Sequence, residues 1–141
     1  MTTLSQLNDA VEVALAGEIS EVKVYSPNRV RDIPEPTGDP DNPTTFIAWS
    51  VGDDSWSQED SGFGYRFYRG TLLFALTTEW GGGELDISAF AAEIESLLLA
   101  ASTSGLHFYE ARIGDSFGAE DEAWMGRILE IPYSREEAKA A

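Results

Sequence analysis

The sequence predicts a single α+β domain with a mostly antiparallel sheet of about five strands and two helices packed on it. Two segments carry apolar residues at helical spacing, and several shorter ones alternate apolar with polar residues, as half-buried strands do. With 141 residues, 43% of them hydrophobic, the chain can form one domain with its own core. We expect this domain to span residues 1–133 and residues 134–141 to form a charged C-terminal tail.

A short helix is predicted first, over residues 4–16. Thr2 or Thr3 can cap its N-terminus, and Gly17 stands where a left-handed residue commonly ends a helix. One stripe of the helix is apolar and consists of Leu4, Leu7, Val11, Ala14 and Leu15. We expect the helix to face the core through that stripe.

Three strands and a long loop are predicted next. Residues 21–25 alternate and indicate the first strand, whereas residues 28–44 contain four of the six prolines and indicate an exposed loop. The second and third strands are predicted at residues 45–51, followed by a turn at residues 52–54, and at residues 65–78. Their inward faces are predicted to carry Ile47, Trp49 and Val51 in the second strand and Leu72, Phe74 and Leu76 in the third.

The clearest helical pattern follows, with Asp86 or Ser88 as the N-cap and Gly105 as the end. Its apolar residues at helical spacing are Ile87, Phe90, Ala91, Ile94, Leu97, Leu98 and Ala101. We expect this helix to pack on the third strand, because their apolar faces are the two strongest and are adjacent in sequence. Two last strands are predicted at residues 106–113 and 125–133, joined by an acidic loop.

Acidic residues outnumber basic ones by 25 to 9, which gives a formal net charge of -16 and a pI near 4.1. Nucleic-acid binding is disfavoured, because it requires Lys and Arg to neutralise phosphates. No apolar run approaches the roughly 18 residues that cross a bilayer, and we expect no secretory signal. The absence of cysteine excludes disulfides and thiolate metal sites.

Two loops begin like ligand-binding motifs but lack the residues that such motifs need. Gly81-Gly82-Gly83 precedes a helix as in phosphate loops, yet Glu84 and Asp86 put negative charge where a phosphate would lie. Residues 39–44 start like a calcium loop, but Thr44 takes the position of the required Gly and the twelfth-position Glu is missing. We therefore expect no cofactor and no metal site.

The sequence nominates no active site. His107 is the only histidine and has no cysteine or second imidazole with which to share a metal. No Gly-x-Ser-x-Gly elbow surrounds a serine, and among 25 acidic residues any chosen carboxylate pair is uninformative. We expect no catalytic residue and no enzymatic activity.

Aromatic residues set among polar ones mark residues 56–69 as a candidate interface, although some of them could equally roof the domain's own core. Tyr and Trp in such a stretch commonly anchor protein interfaces, and arginines can pair with carboxylates across a subunit boundary. The glycines at residues 81–83 permit close approach of a neighbouring chain. The candidate interface residues are Trp56, Phe63, Tyr65, Arg66, Phe67, Tyr68, Arg69, Trp80, Gly81, Gly82 and Gly83.

Several segments combine into a longer pattern. The step Arg69-Gly70 opens a strand that runs into the Gly-rich loop at residues 79–84. The helix after it has the spacing Ala91-x-x-Ile94-x-x-Leu97, and a late strand ends in Ile131-Pro132-Tyr133. Together with the short N-terminal helix, this arrangement resembles the tail terminator proteins of long-tailed bacteriophages.

The resemblance implies a structural virion protein that forms a ring, expected to contain six copies. In that family the ring stops polymerisation of the tail tube and presents a surface to the head connector, so the implied partners are other copies, the tail-tube protein and the connector protein. DNA would pass through the channel without specific binding, and acidic side chains on the wall would repel it. The implied location is the virion tail near the neck, after assembly in the host cytoplasm.

Three other readings remain open from the sequence. One is a different structural part of the same virion, such as a neck or head-completion protein or a tube subunit. Another is a soluble ligand-binding or enzymatic α+β domain with an acidic surface. The third is an acidic DNA mimic that inhibits a nucleic-acid enzyme.

Overall fold

The computed structural model of the protein describes residues 2–39, 41–56, 64–79, 86–118 and 123–138. Two α-helices, one 3₁₀ helix and seven strands occur in these ranges. In chain order they are α1 (Leu4–Leu15), β1 (Glu18–Ile19), β2 (Val22–Tyr25), the 3₁₀ helix (Pro27–Asp32), β3 (Thr45–Trp56), β4 (Tyr65–Glu79), α2 (Ile87–Ala100), β5 (Leu106–Phe108), β6 (Arg112–Phe117) and β7 (Trp124–Ala138). No helix among the described residues is long and apolar enough to cross a membrane.

The strands form one mixed sheet in the order β1-β2-β3-β4-β7-β5, and β6 also pairs with β7. Strands β2 and β3 are parallel, and every other pairing is antiparallel. The prediction of an α+β domain with a mostly antiparallel sheet is confirmed, but the described sheet has seven strands and not five.

The first helix follows the prediction closely. Thr3 is the N-cap and forms a capping box with Gln6: the Gln6 N–H donates to Thr3 Oγ1, and the Thr3 N–H donates to Gln6 Oε1. At the other end Ala16 and Gly17 both have positive φ, +53° and +76°. Leu7, Val11 and Leu15 are buried, whereas Leu4 is 41% exposed and lies outside the core stripe in which it was predicted.

The long strands β3, β4 and β7 divide their residues between two faces of the sheet. Leu72, Phe74 and Leu76 point to the helical side and are at most 2% exposed, as predicted. The alternate residues of the same strands, Ala48, Leu73, Ala75 and Ile128 among them, lie on the opposite face and are half-buried. The core therefore lies between the sheet and the helices.

Helix α2 closes this core. Asp86 is its N-cap and accepts a hydrogen bond from the Ala89 N–H at 3.1 Å. Phe90, Ile94 and Leu98 are buried in one cluster with Leu72, Phe74, Leu76 and the apolar residues of α1 and β7. The helix ends at Ala100, earlier than the predicted end at Gly105.

The predicted turn at residues 52–54 is a β-bulge inside a longer strand. Gly52 pairs with Thr71 and Ser55 pairs with Arg69, so two residues of β3 stand opposite Gly70 alone. Asp53 has a φ of +55°, which Asp tolerates better than most residues. The bulge inserts one extra residue, so the alternation of inward and outward side chains is reversed after it and Asp54 faces the helical side. The strand β3 continues beyond the bulge to Trp56.

The strand predicted at residues 106–113 is divided into β5 and β6, both of which pair with the same edge of β7. Pro132 explains the division. Its carbonyl accepts a hydrogen bond from the Tyr109 N–H at 2.9 Å, so its imide nitrogen, which has no hydrogen, faces that same edge. The ladder is interrupted there and resumes at Arg112, and β6 extends into the loop predicted at residues 114–123.

Two other predictions about irregular segments need correction. Residues 134–138 are part of β7 and pair with β4, where a charged tail was predicted, and residues 139–141 lie outside the described residues. The predicted loop at residues 28–44 begins with the 3₁₀ helix at Pro27–Asp32. Proline at the first helical position is favourable, because the N–H that it lacks would have no partner there.

Candidate functional site

The structure describes part of the predicted interface. Trp56 ends β3 and pairs with Tyr68 of β4, although of Trp56 and Tyr65 only the backbone is described. Phe63 and the segment containing Trp80, Gly81, Gly82 and Gly83 lie outside the described residues. The part that can be assessed is therefore the C-terminal half of the aromatic segment, on β4.

Strand alternation sends neighbouring residues of this segment in opposite directions. Phe67 and Arg69 share the outward face with Leu73 and Ala75, and Arg69 is exposed. Tyr68 points to the helical side, where its ring centroid lies 3.9 Å from Cζ of Arg135. Tyr68 thus makes an internal cation–π contact, while Phe67 and Arg69 face outward as an interface requires.

Arg135 is the centre of a buried polar network that the sequence did not indicate. It is 3% exposed, and its guanidinium forms a bidentate pair with Asp54, with Nε–Oδ1 at 3.0 Å and Nη2–Oδ2 at 2.6 Å. Its Nη1 donates to the backbone carbonyl of Thr2 at 3.0 Å and also to Glu137. Tyr133 donates its hydroxyl hydrogen to Oδ1 of the same Asp54.

The electrostatics of this network fix its protonation. Burial alone would raise the pKa of Asp54, but the hydrogen bonds from Arg135 and Tyr133 outweigh it and the pKa lies below its usual value. Burial and the adjacent Asp54 raise the pKa of the Tyr133 hydroxyl. Burial opposes the charge on Arg135, yet its carboxylate partners raise the pKa of the guanidinium further. At neutral pH the network is a fixed ion pair with a neutral tyrosine, and none of these groups is available as a general base.

The network joins three distant parts of the chain at one end of the sheet. The bulge turns Asp54 to the helical side, β7 supplies Tyr133 and Arg135, and Thr2, which precedes α1, also donates its N–H to the Glu136 carbonyl at 2.6 Å. The far end of the β3–β4 pair, where the aromatic segment begins, is thereby fixed to β7. The network thus holds in place the strand ends that carry the candidate interface.

Gly70 leaves the space that the Tyr133 ring occupies in this network. The two residues are opposite each other in the β4–β7 ladder, and a Cβ on Gly70 would lie 2.5 Å from the Tyr133 hydroxyl oxygen. A side chain at position 70 would therefore displace the tyrosine from Asp54.

We predict that Gly70→Ala lowers the free energy of unfolding by about 1–3 kcal/mol, the usual cost of overpacking. Gly52→Ala is the matched control, because a Cβ there lies closest to the flexible end of Leu73, at 3.3 Å, and at an ordinary contact distance of 3.6 Å from the Thr71 carbonyl oxygen. Urea denaturation of both variants measures the difference. Equal midpoints for the two variants would show that Tyr133 moves without cost.

Glu79 anchors the chain immediately before the Gly-rich loop. Glu79 is only 5% exposed. Its carboxylate accepts two hydrogen bonds from Thr37, one from the backbone N–H and one from Oγ1 at 3.2 Å. It also accepts hydrogen bonds from the backbone N–H groups of Gly38 at 3.1 Å and Thr44 at 3.4 Å. Burial would raise the pKa of Glu79, but these hydrogen bonds lower it below its usual value. The carboxylate therefore holds Thr37, Gly38 and Thr44 against the end of β4.

Other parts of the described structure offer little for catalysis. Within the described ranges no three residues of the types His, Cys, Asp and Glu are grouped to hold a metal ion, and His107 is exposed on β5. An open cleft of about 360 Å³ lies at the C-terminal end of α1, between Glu12, Arg29 and Trp49. An apolar groove of about 290 Å³ lies on the outward face of the sheet. The expectation of no cofactor, metal or active site stays a prediction.

The sequence matches no protein-family model, and a search of curated proteins finds no match.

Proposed function

We propose that the protein is a tail terminator of a long-tailed bacteriophage. In this proposal it is a ring-forming structural protein of the virion, which caps the tail tube and joins it to the head connector. Six copies surround a channel that lets DNA pass without specific binding. The partners are neighbouring copies, the tail-tube protein and the connector protein, and the role requires no catalysis.

The observation that carries the proposal is the way in which the family-like segments meet in the fold. Gly70 of the Arg-Gly step lies opposite Tyr133 of the Ile-Pro-Tyr sequence, whose ring occupies the space above it. Ile94 of the intervening helix is fully buried in the same core as Tyr133. The three segments that resemble the tail terminators are far apart in sequence but pack together in the fold. Their joint packing supports the view that they belong to one structural pattern and do not resemble the family independently by chance.

The distribution of charge also supports a ring through which DNA passes. Asp9 and Glu12 are the charged residues of α1, and this helix contains no Lys or Arg. With a formal charge of -16 on each copy, like charges at subunit contacts would oppose assembly. A ring therefore has to place its acidic residues on the channel wall and the outer surface, where they repel phosphates.

The proposal predicts that purified protein binds the ends of tail tubes assembled from the tube protein of the same virus. Negative-stain electron microscopy should show a ring at the tube end and tubes that no longer elongate. Binding should strengthen with salt, because the Debye length falls from about 10 Å at 0.1 M to about 3 Å at 1 M and screens repulsion between copies. An unrelated protein of similar size and charge is the control.

Two results would contradict the proposal. Tubes that keep elongating at saturating protein concentration would exclude termination. Incorporation of the protein along the length of the tubes would identify a tube subunit instead.

A further inference from the structure

The exposed side of α2 carries no charge. Its exposed residues after the N-cap are Ser88, Ala89, Ala92, Ser96, Leu99 and Ala100, which we call the α2 outer face. The carboxylates of the two charged residues of the helix both accept hydrogen bonds from other parts of the chain. Glu93 accepts a hydrogen bond from Ser20 Oγ at 2.5 Å, and Glu95 accepts one from the Ala111 N–H at 3.0 Å. Surface helices normally present charged residues to solvent, so this composition is unusual in so acidic a chain.

A second uncharged surface lies on the outward face of the sheet. It is the 290 Å³ groove, lined by Ile33, Ala48, Ser50, Leu73, Ala75 and Ile128, and we call it the sheet groove. Of the described residues that line the groove none is charged, and the charged neighbours on the same face include Glu130, opposite Leu73, and Arg69, further along the same row. The short side chains of Ala48 and Ala75 do not protrude from the groove, so a helix can approach the sheet closely there.

The two surfaces lie on opposite sides of the domain. The buried side of α2 shares the core with Leu72 and Phe74, and the sheet groove is formed by the other face of the same strand. One copy cannot bring its own two surfaces together. A head-to-tail contact between copies can, and repeated head-to-tail contacts generate a ring when the rotation closes.

We propose that the α2 outer face of one copy packs into the sheet groove of the next copy. This inference rests on the proposed function, because it names the surfaces that would form the ring. The occupant is a second copy because the two surfaces match each other in lacking charge, so their contact joins acidic chains with the least repulsion. Leu99, 46% exposed at the end of α2, provides a protruding apolar side chain for a groove lined by alanines.

The size of the surfaces indicates that the contact extends further. A helix of 14 residues is about 21 Å long and about 10 Å wide, so its face supplies about 200 Å² of the roughly 800 Å² that each partner buries in a stable interface. Phe67 and Arg69 of the predicted interface continue the outward row of Leu73 and Ala75, so the contact can extend along β4.

Cysteine cross-linking tests the assignment, because the natural chain has no cysteine. Ser96→Cys places a thiol on the α2 outer face, and Ser50→Cys places one in the sheet groove, with little change in side-chain size. The matched control is Ser116→Cys, a serine on the strand β6 that is also exposed. The chains are mixed in pairs with a short bis-maleimide cross-linker under conditions that give rings, and the products are separated by gel electrophoresis.

We expect a strong cross-linked dimer from the mixture of Ser96→Cys with Ser50→Cys and only background from either chain alone or from mixtures with Ser116→Cys. Rings that form without this cross-link would overturn the face assignment and leave the proposed function in place. A cross-link of Ser96→Cys with itself would replace the head-to-tail contact by a symmetric one. If neither rings nor cross-links form at tube ends, both the inference and the proposed function fail.

A charge placed on the α2 outer face gives an independent readout. Ala92→Glu should weaken ring assembly by at least about tenfold, because it sets a carboxylate in an uncharged contact. Its melting temperature should stay close to that of the natural protein, since Ala92 is exposed. Val13→Glu, on the exposed side of α1 and 79% exposed, is the matched control and should assemble normally. Equal assembly of the two variants would overturn the proposal.

Discussion

Asp54→Asn should lower the free energy of unfolding by about 3 kcal/mol, because it removes the bidentate one of the two carboxylates that pair with a buried arginine. Arg135 is 3% exposed and would keep its charge in a position where water cannot replace the bidentate carboxylate. For a chain of this length the loss corresponds to a fall in melting temperature of roughly 10 °C. Thermal denaturation followed by circular dichroism measures it.

Asp53→Asn is the matched control for this prediction. The residue precedes Asp54 in the bulge and is exposed, and Asn tolerates its positive φ as Asp does. We expect it to melt within a degree or two of the natural protein. Similar melting of the two variants would show that the ion pair contributes nothing to stability.

The difference between the natural protein and Asp54→Asn should depend on pH. The pKa of Asp54 lies below its usual value of 3.8, so its stabilising contribution is fully present above that value and is lost as the pH falls through the lowered pKa. The gap in stability should therefore be constant near neutrality and narrow in strong acid. A gap that grew as the pH fell would contradict this sign.

Ile94→Asp should unfold the domain. Ile94 is fully buried in the core between α2 and the sheet, and an unpaired carboxylate there costs several kcal/mol against a total stability of roughly 5–15 kcal/mol. The variant should lose its cooperative thermal transition. Ser96→Asp, two residues along the same helix and exposed, is the control and should melt cooperatively.

The elements with strong local signals were predicted from the sequence. Thr3 and Asp86 were each one of two predicted cap candidates. Helix caps, the helical spacing of Phe90 and Ile94 and the alternation around Phe74 all depend on interactions within a few residues. These signals do not require knowledge of which strand lies beside which. They were sufficient to give the fold class and the main core faces.

The features that were missed depend on contacts between distant residues. The bulge at Gly52–Asp54 contains residues typical of turns, and only the position of Tyr133 and Arg135 on β7 shows why the strand continues through it. The strand was predicted to end at Tyr133, so Arg135 was assigned to a charged tail. Its place in the alternation after Ile131 and Tyr133 was the one available signal of an inward side chain.

The candidate site was predicted only in part for the same reason. Sequence grouped Phe67, Tyr68 and Arg69 as one surface, but alternation separates Tyr68 from its neighbours and gives it a contact with Arg135. The sheet groove could not be predicted, because it combines residues from β3, β4, β7 and the segment after the 3₁₀ helix. Apolar residues on both faces of a strand do not reveal which face remains uncovered.

Tail length in the virus that encodes this protein tests termination most directly. The gene is inactivated, and the lengths of tails in lysates are measured by negative-stain electron microscopy, with the intact gene supplied in trans as the control. We predict tails of variable and excessive length that fail to join heads, and a return to uniform length on complementation. Tails of normal, uniform length in the absence of the protein would contradict a terminator function.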